Sequence, residues 1–254
     1  MREPGRIINR LTPYLLFIAL LLLWEFLGRY LKLPHYILPP PSTVALALAE
    51  NIELIAWHTG ATLTAALGGL LAALVAAFPL ALIMDRSDTL KNTIYPLLVV
   101  SQAVPIFALA PLILIWFGLG ILPKVLIVAL VCFFPILVNL VEGFASVDPD
   151  ARDLFKTMQA GKVTTFFTLQ LPTALPYFFS GLKIAATYSI LGAIIGEWLG
   201  ARAGLGIYML RTMHSYRLSH LMAAIVVVVV LSLTLFKLAE LGAWLAEPWK
   251  RRRP

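Results

Sequence analysis

VDPDARDLFKTMQAGKVTTFFTLQLPTALPYFFSG, residues 147–181, is a polar, charged island in a chain that is otherwise almost continuously apolar. Charges stand at Asp148, Asp150, Arg152, Asp153, Lys156 and Lys162, and the stretch closes on Leu171-Pro172 and Leu175-Pro176. The runs on either side are long enough to cross a bilayer, which takes about 20 largely apolar residues. A helix-forming segment of mixed charge between two such runs has to stand in water, where it is placed to dock a partner.

Composition supports a lipid solvent. Of 254 residues, 60% are hydrophobic and 13% charged, and the mean hydropathy is +0.89. Soluble domains carry about 45–50% apolar and about 25% charged residues. A soluble core of this size cannot hide the excess, so the expected fold class is an all-α polytopic membrane protein. The net charge of +7 does not point to nucleic acid, because the basic residues flank apolar runs instead of gathering on one soluble face. The single cysteine, Cys132, excludes a disulfide framework and a thiolate metal site, and reads as a small core hydrophobe. The N-terminus has the basic start of an export signal, but its apolar run exceeds the ~7–15 residues of a signal and no small-residue cleavage site follows. It reads as a retained first span.

Six windows qualify as spans: 12–31, 57–84, 92–117, 122–146, 175–199 and 220–245. The third is interrupted by Pro96, Pro105 and Pro111, and broken backbone is tolerated in lipid only where protein or a cavity re-satisfies it. That helix either lines a path inside the bundle or is a kinked packing helix. Six spans put both termini on one side. With that side in the cytoplasm, Arg2, Arg6, Arg10, Arg86, Lys91, Arg152, Lys156, Lys162, Lys250, Arg251, Arg252 and Arg253 face inward. Arg29, Lys32, Lys124, Arg202, Arg211 and Arg217 face outward, and Lys183 and Lys237 lie within spans. Twelve against six satisfies the positive-inside rule and places the 147–174 loop in the cytoplasm. After the first span, Ser42 or Thr43 is expected to cap a short surface helix with an apolar side.

Catalytic signatures are missing. No GxxxxGK[ST] phosphate loop occurs, and no HExxH, CxxC or GxSxG. His35, His58, His214 and His220 are dispersed and read as interfacial histidines, not metal ligands. Ionisable residues within spans are costly and therefore candidates for function. Glu25 has Arg29 one turn later and reads as an ion pair. Glu197 sits beside the stripe Gly192, Gly196, Gly200, which permits close helix approach. It either faces a translocation path or anchors the following loop through Arg202. Gln102, Phe107, Tyr188, Ser189 and Glu197 are the candidate path residues, with Trp116 beside them.

Within the island, Asp148 or Asp150 caps a short helix ARDLFKTMQAG, and a second amphipathic helix, KVTTFFTLQL, ends at Pro172. Leu154, Phe155 and Met158 share one face of the first, an apolar knob flanked by charge that suits a groove on another protein. The alternative is a loop folded back on its own helix ends. This segment is similar to the EAA loop of the permease subunits of ABC importers, whose pattern is E-A-A, three residues, G, nine residues and I-x-L-P. Aligned on Leu171-Pro172, the acidic position is Asp153, the alanine positions are Leu154 and Phe155, and the glycine position is Gln159. Gly161 is expected to serve the turn in place of Gln159. SQAVPIFALAPLILIWFGLGILPKVLIVAL, LPPPSTVALAL and LPTALPYFFSGLKIAATYSILGAIIGEWLGARAGLG extend the resemblance to the nitrate/sulfonate/taurine-type permeases. GAIIGEWLG with its preceding ATYS looks most like the branch for pyrimidine thiamine precursors.

The resemblance implies one permease domain over 1–254, with a core at 57–245 and a coupling loop at 147–174. It implies a homodimer in the inner membrane, a separate ATPase subunit that binds the ATP and Mg, and a periplasmic or lipid-anchored solute-binding protein. Asp153, Leu154, Phe155, Met158, Gln159, Gly161, Leu171 and Pro172 would couple to the ATPase, and this chain would carry no catalytic residue, no metal and no cofactor of its own. The solute would be a small anion or a heterocycle of pyrimidine or riboflavin type. The alternatives are a secondary transporter driven by an ion gradient, which wants mid-membrane carboxylates and internal repeats, and a membrane-embedded enzyme, which wants a polar cluster at one face.

Overall fold

The computed structural model describes residues 4–30 and 37–248. Arg2, Lys32, His35, the basic tail at 250–253, the end of the first expected span at residue 31 and the 31–36 part of the turn after it lie outside the described residues. The described chain is all helical, in the order α1 Pro4–Tyr30, α2 Pro41–Glu50, α3 Ile52–Asp85, α4 Asp88–Ser101, α5 Ile106–Phe117 and α6 Ile121–Ala145. There follow α7 Pro149–Thr157, α8 Lys162–Thr165, α9 Leu171–Trp198, α10 Leu205–His214 and α11 Leu218–Ala246.

Two compact units divide the chain. The first holds the residues up to Trp57 together with Tyr208–Val227. Within it α1 and α2 meet closely: a Cβ on Gly28 would lie 3.1 Å from the Cβ of Pro40. Helix α2 begins on Pro41, where a fixed φ suits the first helical position. Ser42 and Thr43 therefore sit inside the first turn instead of capping it, and the donor at Ser42 is satisfied from α1. Glu25 Oε2 accepts from Ser42 N at 2.9 Å, Oε1 accepts from Ser42 Oγ at 2.8 Å, and the carboxylate also pairs with Arg29. The ion pair foreseen for Glu25 is present, and it doubles as a helix cap.

The second unit, His58–Ile207 with the chain from Val228 onward, contains the main core. Helix α6 packs along α9 and α3. Ala65, Ala66, Ala73, Ala77 and Ala81 give α3 a small-residue stripe, and Gly69 lies so close to Val128 of α6 that no Cβ fits there. Along α9, a Cβ on Gly181 would lie 2.5 Å from the Pro135 carbonyl oxygen, one on Gly192 3.1 Å from Val128 Cα, and one on Gly196 3.2 Å from Lys124 Cα. Such spacing lets two backbones approach until dispersion and weak polar contacts act along their whole length. Cys132 is buried in this seam, its Sγ 3.2 Å from the Ala185 carbonyl oxygen, as expected of a small core residue.

Two further sequence expectations are corrected. The third span is not one helix: α4 and α5 meet at 95° across residues 102–105. Pro96 and Pro111 stay inside their helices, and only Pro105, extended at φ −67° and ψ 123°, marks the break. The second island helix does not end at Pro172. Helix α8 runs through a π turn at Phe166–Gln170 straight into α9, so Lys162–Trp198 is one helical rod of 37 residues. The Leu171 N–H donates to the Phe166 carbonyl five residues back. This widened turn relieves the clash that a proline ring makes with the carbonyl four residues behind it.

Among the described residues, four helical segments are long and apolar enough to cross a membrane, namely α3, α6, Lys162–Trp198 and α11, or five if the bent α4–α5 pair counts as one span. Substituting Gly181→Ala puts a methyl group against fixed backbone and is expected to cost about 1–3 kcal/mol. Gly60→Ala, at an α3 position with nothing within 4 Å, is expected to be neutral or to stabilise by about 0.5–1 kcal/mol. Apparent melting temperatures of the two purified variants in detergent check the pair, and equal behaviour would contradict the seam.

Candidate functional site

The charged island forms its own element. Asp148 caps α7 by accepting from Asp150 N at 2.9 Å, with Pro149 at the first helical position. No residue of α7 is buried. Leu154 is 58% and Met158 69% exposed, one turn apart, and Val163 and Phe167 are 71% and 61% exposed on the rod that follows. Asp153 pairs with Lys156 at 2.8 Å on the exposed surface, and Phe155 is half-buried. An open apolar strip on a charged segment is what a helix-in-groove contact requires of its docking side.

Helix α7 stops in a Schellman motif. The Gln159 N–H donates to Lys156 O at 2.9 Å and the Ala160 N–H to Phe155 O at 3.0 Å. The motif needs a left-handed residue at the first position past the cap, usually glycine, and here Gln159 supplies it with φ 54°. Gly161 does not serve this turn. It is extended at φ −63° and ψ 153° and leads into α8. Leu171 and Pro172 open α9, both half-buried.

Behind α7 lies a polar tie that sequence inspection missed. The Arg152 guanidinium donates to the Phe144 carbonyl at 2.7 Å and meets Asp85 Oδ1 at 3.4 Å, while Gln170 Nε2 donates to Asp85 Oδ2 at 3.3 Å. Asp85 is the last residue of α3, and no spacing in the sequence links it to positions 67 and 85 residues away.

At the far end of α9 a second polar cluster is fully enclosed. Glu197 and Thr62 are both 0% exposed and His58 is 3% exposed. Thr62 Oγ1 donates to Glu197 Oε1 at 2.8 Å, and Glu197 Oε2 accepts from Gly206 N at 2.7 Å. Leu205 N donates to Thr62 Oγ1 at 2.8 Å and Gly204 N to His58 Nδ1 at 3.0 Å. The N–H groups that begin α10 have no intrahelical acceptor, and these three side chains satisfy them. Gly204 has φ 134°, and a Cβ there would strike the Glu197 carboxylate. The anchoring arrangement foreseen through Arg202 is thus made by Thr62 and the backbone of Gly206. Glu197 alone of the three was singled out as a candidate for function by its type. Thr62 and His58 carry no signal beyond a polar residue at helical spacing in α3.

The other candidate path residues divide by exposure. Gln102 is exposed at the α4–α5 break, Phe107 is 57% exposed and stacks on Trp198 with ring centres 6.2 Å apart, and Tyr188 is 45% exposed. Ser189 is buried and donates to the Ala186 carbonyl at 2.8 Å.

Residues 68–251 match the family described as the inner membrane component of binding-protein-dependent transport systems. The chain is 36% identical over 244 residues to the formylaminopyrimidine transport permease of Halalkalibacterium halodurans, covering 96% of this chain and 97% of that one. It is 33% identical to the riboflavin transport system permease of Chloroflexus aurantiacus, covering 91% and 87%. The taurine transport system permease of Escherichia coli is 28% identical, over 74% and 71%.

Each unpaired buried polar group costs about 1–3 kcal/mol. Glu197→Ala and Thr62→Val are therefore expected to loosen the turn before α10, whereas Thr62→Ser holds it. Trypsin cleavage at the exposed Arg202 in detergent-solubilised protein is the readout: faster than wild type in the first two variants and unchanged in the third.

Proposed function

Since the chain belongs to the family of binding-protein-dependent transport inner membrane components, we propose that α7 is the helix through which the transporter's ATPase drives it. The protein is the permease subunit of an ABC importer. It transports and does not itself catalyse a reaction. The single observation that carries the coupling assignment is the exposure of the apolar side chains Leu154 and Met158 on the charged helix α7, with Val163 and Phe167 exposed on the rod that follows. Asp153, Phe155 and Gln159 frame these side chains, and Leu171 and Pro172 join them to α9. The sharp turn that a glycine provides in the family pattern is made here by Gln159.

The rod from Lys162 to Trp198 supports a lever. Its 37 residues span about 55 Å at 1.5 Å per residue, against about 30 Å of hydrocarbon, so one end projects into water as the other crosses the bilayer. In this reading residues 1–254 form one permease domain with six spans, α1 and the α4–α5 pair among them, and both termini face the cytoplasm with the 147–174 loop. Two copies form the path, each above an ATPase subunit that holds the ATP and Mg, and a solute-binding protein delivers cargo from the other side. ATP can move such an assembly only by binding one conformation better than the other. Gln102, Phe107 and Tyr188 are the exposed candidates for the path. Ser189 and Glu197 act behind it.

The relatives named for a pyrimidine and for riboflavin are 36% and 33% identical over most of the chain, against 28% for the taurine permease. A planar nitrogen heterocycle is therefore the proposed solute class. A transporter driven by an ion gradient is set aside by family membership, and the span carboxylates Glu25 and Glu197 are engaged as helix caps.

Because Leu154 and Met158 touch little within the chain, Leu154→Asp with Met158→Asp is expected to insert and melt like wild type. The same protein is expected to lose at least about tenfold in retained ATPase subunit, as befits two central apolar anchors of a groove contact. Quantifying the subunits that co-purify from native membranes through a tag on this chain checks it, and undiminished retention would remove α7 from the interface.

A further inference from the structure

We propose that Asp85 is a positioning residue that fastens the docking helix to the spans, so that displacement of α7 moves α3, α6 and α9 together. The proposal rests on α7 being the docking element. A helix that transmits force must be held by something, and α7 buries none of its residues. Apolar packing holds it only at the half-buried Ala151 and Phe155. Among the described residues its polar link to the core runs through Arg152.

Arg152 is gripped from two directions. The Phe144 carbonyl, in the last turn of α6, lacks an intrahelical donor, and a cation at a helix C-terminus is favoured by the aligned backbone dipoles. The 2.7 Å bond there is a full charge-assisted one. The second grip is Asp85, whose side chain is only 14% exposed. Asp85 closes α3 and reaches two elements, Arg152 at 3.4 Å and Gln170 at 3.3 Å. Gln170 ends the π turn, so the same carboxylate holds α7 and the root of the α9 rod. One residue thus joins the end of α3 to both arms of the island.

The surroundings make these bonds matter. A cavity of about 210 Å³ lined by Met84, Asp85, Lys91, Val141, Ala145 and Arg152 lies beside the tie. Side chains leave that space unfilled, so the bonds of Arg152 to the Phe144 carbonyl and to Asp85 carry much of the resistance to a shift of α7. Lys91 is the other cation on that cavity wall and adds positive charge beside Asp85.

The test uses the intact complex, purified from native membranes through a tag on this chain and reconstituted in vesicles. ATP hydrolysis with Mg is measured without and with its solute-binding protein. Asp85→Asn is expected to keep the ATPase subunit and the unstimulated rate, and to lose about tenfold of the stimulation, within the range found when coupling residues are altered. Unchanged stimulation overturns the proposal. Loss of the ATPase subunit also overturns it, by making Asp85 part of the docking surface. If Asp85→Asn does not accumulate, Gln170→Leu, which removes one bond to the same carboxylate, is judged by the same two outcomes. A cycle with Arg152→Met separates a shared tie from general weakening: equal stimulation in the double and single variants supports the tie, and additive losses overturn it. Failure of the docking assignment shows elsewhere, as an ATPase subunit retained by the Leu154→Asp, Met158→Asp protein.

Discussion

Everything in the second unit hangs on the close approach of α6 and α9. Gly181 faces the Pro135 carbonyl, Gly192 faces the Val128 backbone and Gly196 faces the Lys124 backbone. No side chain larger than hydrogen fits at the first of these, so the two helices have one register and no freedom to slide. In lipid there is no hydrophobic gain from bringing two apolar helices together, and shape has to supply the affinity. Fixing that register also fixes both ends of the seam. At one end it sets Glu197 under the start of α10, and at the other it sets Gln170 and Phe144 where Asp85 and Arg152 can reach them.

The carboxylates within the apolar segments illustrate a second constraint. A charged group in a span invites a functional assignment because it is costly there. Glu25 and Glu197 both turn out to serve the backbone: each accepts one N–H from the first turn of a short helix, α2 in one case and α10 in the other. Where water is scarce, the unpaired donors of a helix start must find acceptors inside the protein. A short helix next to a span therefore needs a side-chain oxygen brought in from elsewhere in the chain. The cost of placing a carboxylate at that depth is offset by the donors it satisfies.

Much of this was legible in the sequence, and the failures share a cause. Apolar run length gave α3, α6, α9 and α11 within a few residues, and the charge pattern isolated α7, because both signals are local and additive. The three prolines of 92–117 look alike in sequence, yet only Pro105 breaks the chain. Proline removes a donor everywhere but becomes a corner only where neighbouring helices leave room for one. Pro172 misled in the opposite sense, since a π turn absorbs it without ending the rod. Gln159 was judged a poor turn residue by type, whereas the Schellman bonds on either side hold it left-handed. Asp85 could not be found at all. Its partners are distant in the chain, and a carboxylate at the end of a span looks like any other interfacial charge.

The island and the spans are consequently joined twice, by covalent chain and by a carboxylate, and the two joins do different work. The chain from α6 enters α7 through the short turn 146–148, in which Val147 is buried. The rod from Lys162 onward cannot bend freely, since its hydrogen bonds continue through the π turn into α9. Asp85 holds Arg152 on the α7 side and Gln170 on the rod side at once. On the coupling proposed for α7, a displaced surface helix has to become a tilt of buried ones, and the carboxylate at the end of α3 is where the proposal joins these two motions.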